Sequence, residues 1–230
     1  MDWISFYDFK HSVIYVNARH RDVHYETIAK DIRDLAPSPA ANVIDYGCGE
    51  ATSAGLIAQA SGHLTMVEAA PNVRAALRER YADNSKISVM TPEEAAAQPP
   101  QSFDLIVLHS VAQYLTAAEL EAMMATFHRL LKPDGVFVLG DIVPPKLASM
   151  WAAVALLRFG AAEGFFLAAV GGLIRIFLSD YLKLKSTHGL SHYEEADMLE
   201  RLKRAGFAPK RAARNIGHNQ RRMTFLSTPR

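Results

Sequence analysis

The most telling spacing in the sequence involves two acidic residues and two glycines. Asp45, Gly47 and Gly49 stand in the run Val43-Ile44-Asp45-Tyr46-Gly47-Cys48-Gly49, and Glu68 follows nineteen residues after Gly49. Two glycines separated by one residue let the backbone turn tightly and leave room for a ligand to approach. A carboxylate placed like Glu68, at the end of the next apolar stretch, can accept hydrogen bonds from both hydroxyls of a ribose. The pattern departs from a dinucleotide fingerprint, which needs a third glycine where this chain has Thr52. An acidic Asp45 just before the turn would also repel a pyrophosphate. Both departures suit a ligand that carries an ammonium group and no phosphate.

Further along, His109 ends an apolar run and Asp141 ends another. A histidine there can act as a base near neutral pH; it can equally pack against a ligand or position a neighbour. Asp141 can contact a second substrate, orient a base or cap a loop. Near the end, the turn Gly217-His218-Asn219-Gln220 offers His218 and Asn219 as substrate contacts. Before the first apolar run stand Tyr7, Tyr15, Arg19 and His20. Arg19 can pair with a ligand carboxylate, although the charge run around it also reads as a solvated helix face. His188 and His192 have a metal-like spacing, but Gly189 between them and the lack of nearby ligands argue against zinc. No metal is expected.

These residues need elements to hold them. Residues 20–36 read as an amphipathic helix, with Val23, Ile28, Ile32 and Leu35 near one face and Pro37 and Pro39 ending it. Strands are expected at 42–45, 64–68, 87–90, 103–108 and 136–140. Helices are expected at 51–59, through Arg74, Leu77 and Tyr81, and at 117–131, with a turn at Lys132-Pro133-Asp134-Gly135. This alternation implies parallel pairing, and the fully apolar run Leu105-Ile106-Val107-Leu108 suits a sheet covered on both faces. A polar helix at 193–205 and strands at 209–216 and 223–227 close the chain. The predicted fold class is α/β: a doubly wound, Rossmann-like seven-stranded sheet with a C-terminal antiparallel hairpin and an apolar helical insert after the fifth strand. The 230 residues read as one domain, with an N-terminal helical cap at 1–36 and a lid insert at 142–192.

From 42 to 141 the sequence resembles the class I S-adenosylmethionine-dependent methyltransferases. The glycine run resembles the family's first motif, Thr65-Met66-Val67-Glu68 its second, and Phe103-Asp104-Leu105-Ile106-Val107-Leu108-His109-Ser110-Val111 its fourth. Leu130 to Val138 resembles the helix end and fifth strand that follow. The resemblance implies S-adenosylmethionine as cofactor and an enzyme of general class EC 2.1.1.-. It puts the methionine end at Asp45, Gly47, Cys48 and Gly49, the ribose at Glu68 beside Ala69, and the adenine near Pro92 and Glu93. An Asp is usual at that last place, so Pro92-Glu93 is a departure. By the same resemblance Tyr15 and Arg19 belong to an N-terminal segment that closes over the cofactor. His109, Asp141 and His218 are the expected catalytic or acceptor-side residues. The phrase His109-Ser110-Val111-Ala112-Gln113-Tyr114 is also similar to the methyltransferase domains of peptide synthetases, which favours a small acceptor methylated on oxygen or nitrogen.

Residues 147–178 form a long apolar stretch interrupted by Arg158, Glu163 and Arg175. Only 11 uncharged residues separate Glu163 from Arg175, against about 20 apolar residues for a membrane span. Gly160, Gly164, Gly171 and Gly172 suggest two or more bent helical pieces. The segment reads as a roof over a hydrophobic acceptor, as a peripheral membrane contact, or as a homodimer interface. A non-catalytic cofactor-binding interaction protein is the alternative from another class. Residues 201–230 carry nine Lys or Arg and no acidic residue, leaving 16 basic and 24 acidic side chains in the rest. No nucleic-acid partner is expected, since the sequence has neither an interleaved aromatic platform nor an Asn/Asp-Pro-Pro-Tyr tetrad. The single cysteine and the lack of a recognisable secretory signal fit a cytoplasmic protein, with membrane association as an added option.

Overall fold

The computed structural model describes residues 3–10, 14–145, 149–177 and 191–230. His188 and the ends of the apolar stretch at 147, 148 and 178 lie outside the described residues. The chain begins with helix α1 (Trp3–Lys10) and helix α2 (Ala18–Arg33). The helix α2 starts where Asn17 accepts a hydrogen bond from the His20 backbone N–H at 2.8 Å, satisfying one of the donors a helix leaves open at its first turn.

The sheet is then laid down by β1 (Asn42–Tyr46), β2 (His63–Val67), β3 (Ile87–Met90), β4 (Phe103–His109) and β5 (Leu131–Ile142), with β6 (Phe207–Arg211) and β7 (Met223–Pro229) following. Between them run α3 (Gly55–Ala60), α4 (Pro71–Arg80), α5 (Pro92–Ala96), α6 (Ala117–Leu130), α7 (Ser149–Glu163), α8 (Phe166–Phe177) and a last helix, α9 (Glu195–Arg204). The strand order is β3-β2-β1-β4-β5-β7-β6. The first five strands are parallel, and β7 runs antiparallel to both neighbours.

The apolar strands are explained by two cores, one on each face. Alternate residues point to opposite sides, so Leu105 and Val107 join Ile32, Ile57 and Leu77 on one face. Ile106 and Leu108 join Leu120, Phe127 and Phe137 on the other. Each such side chain contributes about 1.5–3 kcal/mol by leaving water. A third, smaller cluster of Val16, Val23, Phe159, Phe165 and Ala169 joins α2 to the α7–α8 pair.

Three boundaries differ from expectation, each for a local reason. The helix expected from residue 51 begins only at Gly55, because Ala51 takes a positive φ of 37° and the Tyr81 hydroxyl bonds Ala51 O and Ala54 N. The turn expected at 132–135 lies inside β5 as an irregularity: Phe103 pairs with Leu131 and Leu105 with Val136, while Lys132 Nζ holds Asp104 at 2.8 Å. The strand expected at 209–216 ends at Arg211, and residues 212–222 form a loop knit by the Asn215 side chain. One helix, α5, was not expected. Its capping box of Thr91 and Glu94, with Pro92 at the first position, was present as a sequence signal. No helix among the described residues is long and apolar enough to cross a membrane.

The basic C-terminal stretch is partly committed inside the fold. Arg201 pairs with Glu121 and Asp197, Arg222 with Asp141, and Arg221 lies over the Trp151 ring at 3.8 Å.

Candidate active site

A cavity of about 660 Å³ opens at the C-terminal ends of β1, β2, β4 and β5, the place where doubly wound sheets hold ligands. It has two chemically distinct ends.

One end is built by the loop after β1. Gly47 N–H donates to Val67 O at 2.7 Å and Cys48 N–H to the same oxygen at 3.3 Å, folding the loop over the end of β2. Gly47 and Gly49 take φ of 72° and 61°, a region costly for other residues. A Cβ on Gly47 would meet Val111 Cγ2 at 2.4 Å, and one on Gly49 would meet the Tyr25 hydroxyl at 2.6 Å. Gly47→Ala is therefore expected to lose about 2–4 kcal/mol of stability from backbone strain and overpacking together. Adding Val111→Ala restores only the packing part, as a urea titration of the two proteins will show.

Glu68 sits just past β2 with its carboxylate fixed on both sides. Gly49 N–H donates to Oε2 at 2.9 Å and Ala70 N–H to Oε1 at 2.8 Å. Burial raises its pKa, against the lowering effect of these backbone donors. Asp45 is buried at the end of β1, and among the described residues no donor bonds its carboxylate. Burial, and then the nearby Glu68 charge, push its pKa up to about 7. Cys48 lines the same end, its thiol driven well above its usual range by burial. Ala69 and Pro92 line the wall beyond Glu68. Glu93 does not: it lies exposed in the first turn of α5 and outside the cavity.

The other end is a ring of imidazoles and aromatic groups. His109 comes from β4 and His218 from the loop 212–222, both noted in the sequence. His20 and His24 come from α2; Tyr25, also on α2, and Tyr15 before it line the cavity where this end meets the glycine loop. His24 and Tyr25 were not singled out; the i, i+4 spacing of His24 from His20 is the signal that could have found it, and Tyr25 carried none. His218 lies flat on Phe159, with centroids 4.4 Å apart and planes at 7°. The His24 ring stands at 69° to it, with centroids 6.0 Å apart. His20 stacks on Phe165 at 4.9 Å. Tyr15 donates to the Tyr25 hydroxyl at 3.0 Å, and Tyr25 accepts from Glu50 N–H at 2.9 Å. Burial pushes the imidazole pKa values down, to about 4 for His20, 3 for His24 and 4 for His218. His109 moves the same way. All four rings are neutral at pH 7.

His109 Nε2 lies 3.4 Å from Ile216 O. A neutral ring can meet a carbonyl only through N–H, so Nδ1 keeps the lone pair. Asp141 is buried and fully engaged. Ser110 Oγ donates to Oδ2 at 2.5 Å, Asn215 Nδ2 to Oδ1 at 3.2 Å, and the Arg222 guanidinium closes an ion pair. Although burial raises its pKa most, Arg222, His109, Ser110 and Asn215 together hold it below the usual carboxylate range. Ser110 and Asp141 both have positive φ, 59° and 65°, so the backbone is strained where two adjacent strands end.

Arg19 stands apart from the cavity. It is mostly exposed and donates to the backbone oxygen of Glu163 at 3.2 Å, because its place on α2 faces the end of α7 rather than the glycine loop. Tyr15 does line the cavity, as α7 does through Ala152 and Leu156.

The Methyltransferase domain family matches residues 43–135 of the chain. An uncharacterized methyltransferase of Synechocystis sp. is 24% identical over 125 residues, 54% of this chain and 58% of that protein. Nodulation protein S of Sinorhizobium fredii is 28% identical over 112 residues, 47% of this chain and 51% of that protein. The chain thus matches little more than half the length of these two relatives. Among solved structures, the magnesium protoporphyrin IX methyltransferase of Synechocystis, solved with bound SAH, superposes with a TM-score of 0.59 at 19% identity. That match covers 93% of this chain and 88% of the other. The expected sheet, with its C-terminal antiparallel hairpin, is present. Residues 43–135 match a methyltransferase domain, and the sheet that carries them has the doubly wound strand order and C-terminal antiparallel hairpin expected from the sequence.

Proposed function

We propose that the chain is an S-adenosylmethionine-dependent methyltransferase acting on an oxygen or nitrogen of a small, apolar acceptor. The observation that carries this is the division of one cavity into a carboxylate-and-glycine end and an imidazole-and-aromatic end.

The first end fits the cofactor. Asp45 is a buried carboxylate with no donor among the described residues, suited to an ammonium group. Both oxygens of Glu68 are oriented by backbone N–H groups and each retains a lone pair for a ribose hydroxyl. The glycine cradle would be filled by any Cβ at position 47. Cys48, Ala69 and Pro92 supply apolar wall for the rest. Bound there, S-adenosylmethionine supplies a methyl group already activated by positive sulfur. The protein's remaining work is alignment, exclusion of water and removal of a proton from the acceptor. The neutral rings of His109 and His218 are placed for that last task, and Asp141 acts on them indirectly by pinning the loop that carries His218. The α7 helix closes the acceptor end and is held to the same loop where Arg221 covers Trp151.

Isothermal titration with S-adenosylmethionine, followed by incubation of radiolabelled donor with fractionated metabolite and lipid extracts, tests the reading. Micromolar binding and label in a low-mass product are expected. Absence of cofactor binding rejects the proposal.

A second reading concerns where the acceptor is met. On α8, Leu167, Val170 and Ile174 are exposed at helical spacing, with Phe166 beside them. An apolar helix face of this kind suits a membrane surface, which would make the acceptor a lipid or isoprenoid. Flotation with vesicles, and its loss in Leu167→Glu/Ile174→Glu, tests this.

A further inference from the structure

The acceptor end of the cavity carries almost no available charge. Among the described residues that line it, the ionisable acids and bases other than histidine and tyrosine are Glu119, Asp141 and Arg222. The carboxylate of Glu119 caps its own helix at Thr116. Asp141 and Arg222 neutralise each other, and Asp141 also receives Ser110 and Asn215. An ammonium acceptor entering here would meet only the exposed Glu119, whose Oε2 already caps its helix, and the paired Asp141; a carboxylate or phosphate would meet no uncommitted cation. Burying an unpaired charge is costly enough to exclude both.

What the wall does offer is a pair of neutral imidazoles. The ring nitrogens of His24 and His218 make no hydrogen bond to the protein among the described residues, yet both rings line the cavity. Aromatic groups wall them: Tyr15 and Tyr25 around His24, and Phe159 under His218. A neutral imidazole has one N–H and one lone pair, and so does each of the two. A hydroxyl group also has one hydrogen to give and lone pairs to receive. Its oxygen, in hydrogen-bond reach of a ring nitrogen, lies about 3.9 Å from the ring centre. Two such reaches total roughly 8 Å, more than the 6.0 Å between the centres of His24 and His218. The spacing thus leaves room for one oxygen to reach both rings, accepting from one N–H and donating to the other nitrogen.

We infer that His24 and His218 form a two-imidazole clamp for an uncharged hydroxyl borne on a flat apolar body, so that the acceptor is of the phenol class and the product a methyl ether. This rests on the methyltransferase reading above and narrows it from oxygen or nitrogen to oxygen. In the transfer, the acceptor oxygen uses a lone pair to form the new O–CH₃ bond while the bond between methyl and sulfur breaks, its pair staying on sulfur. The O–H bond breaks with its pair left on oxygen, and the proton passes to the imidazole lone pair, then to water. The oxygen becomes strongly acidic as the methyl arrives, so a weakly basic imidazole suffices.

The test uses three probes of matched shape at pH 7.5: 2-naphthol, 2-naphthylmethylamine and 2-naphthoate, titrated calorimetrically into the intact chain. S-adenosylmethionine is titrated separately. Naphthol is expected to bind at least tenfold tighter than either charged probe. His24→Phe and His218→Phe are each expected to weaken naphthol about tenfold while leaving cofactor affinity unchanged, which also reports that each variant is folded. A charged probe binding as tightly as naphthol, no naphthol binding, or unchanged naphthol affinity in both variants overturns the clamp. If naphthol fails while S-adenosylmethionine binds, only this inference falls. If S-adenosylmethionine fails to bind, the methyltransferase reading falls first.

Discussion

Asp45→Asn is expected to abolish S-adenosylmethionine binding and, at the same time, to make the ligand-free protein more stable. The two effects share one cause. Burial holds the Asp45 carboxyl at a pKa of about 7, well above its value in an unfolded chain. Between about pH 4 and 7 the folded state keeps a proton that the unfolded state has lost. Stability therefore falls as pH rises through that window and stays reduced above it. Asparagine keeps the shape without the charge, so at pH 8 the variant gains on the order of 1–4 kcal/mol. An ammonium group placed against Asp45 reverses the preference by favouring the ionised form. Cofactor binding below pH 7 should then release a proton, and affinity should weaken as pH falls from 7 to 5. Calorimetry in two buffers of different ionisation enthalpy reads the proton directly. Cofactor affinity independent of pH over this range would contradict the placement of the ammonium group at Asp45.

Arg222→Met is expected to cost about 3–5 kcal/mol, because it leaves Asp141 buried without its cation. The pH dependence should change sign. In the parent, Asp141 has a depressed pKa, so its contribution is present above the unfolded value and lost as pH falls through the folded one. In the variant the carboxyl is buried without its main support, its pKa rises, and acidification from pH 7 to 5 stabilises the protein instead. The double variant Asp141→Asn/Arg222→Met should recover much of the loss, since no buried charge remains. Denaturant titrations at pH 5 and pH 7 distinguish the cases. The loop 212–222 hangs on this node through Asn215, so surviving turnover should fall more than cofactor affinity.

The sequence made the glycine loop and the central strands legible for a physical reason. Strands buried on both faces must be apolar throughout, and a tight turn at a ligand must contain glycine; neither demand depends on distant partners. Asp45 and Glu68 were legible because their place is fixed by the strand ends they follow. The imidazole end was less so. His24 sits on a helix whose apolar positions could be read, but nothing in its neighbourhood says that a loop almost two hundred residues later will stand 6.0 Å away. Arg222 looked like one more charge in a basic stretch, and only the fold shows it sealed against Asp141. Arg19, by contrast, invited a role by its chemistry and proved to face Glu163. The start of β5 was hidden because Lys132-Pro133-Asp134-Gly135 has turn composition, yet the neighbouring strand absorbs it as an irregularity.

The β7 strand follows β6 in the chain but lies between β5 and β6 in the sheet. On the ribosome this means that β6 emerges with no hydrogen-bonding neighbour available to it. It must wait, unpaired, while the loop carrying His218 and then β7 are made. Only when β7 slots in do Arg211 and Phe225 come into register and the loop ends become fixed on either side. The cofactor end of the cavity, built by earlier strands, can assemble during synthesis, whereas the acceptor end is a late event. A nascent chain halted before Met223 would be expected to protect Asp45 and Glu68 from hydrogen exchange while leaving the region of His218 open.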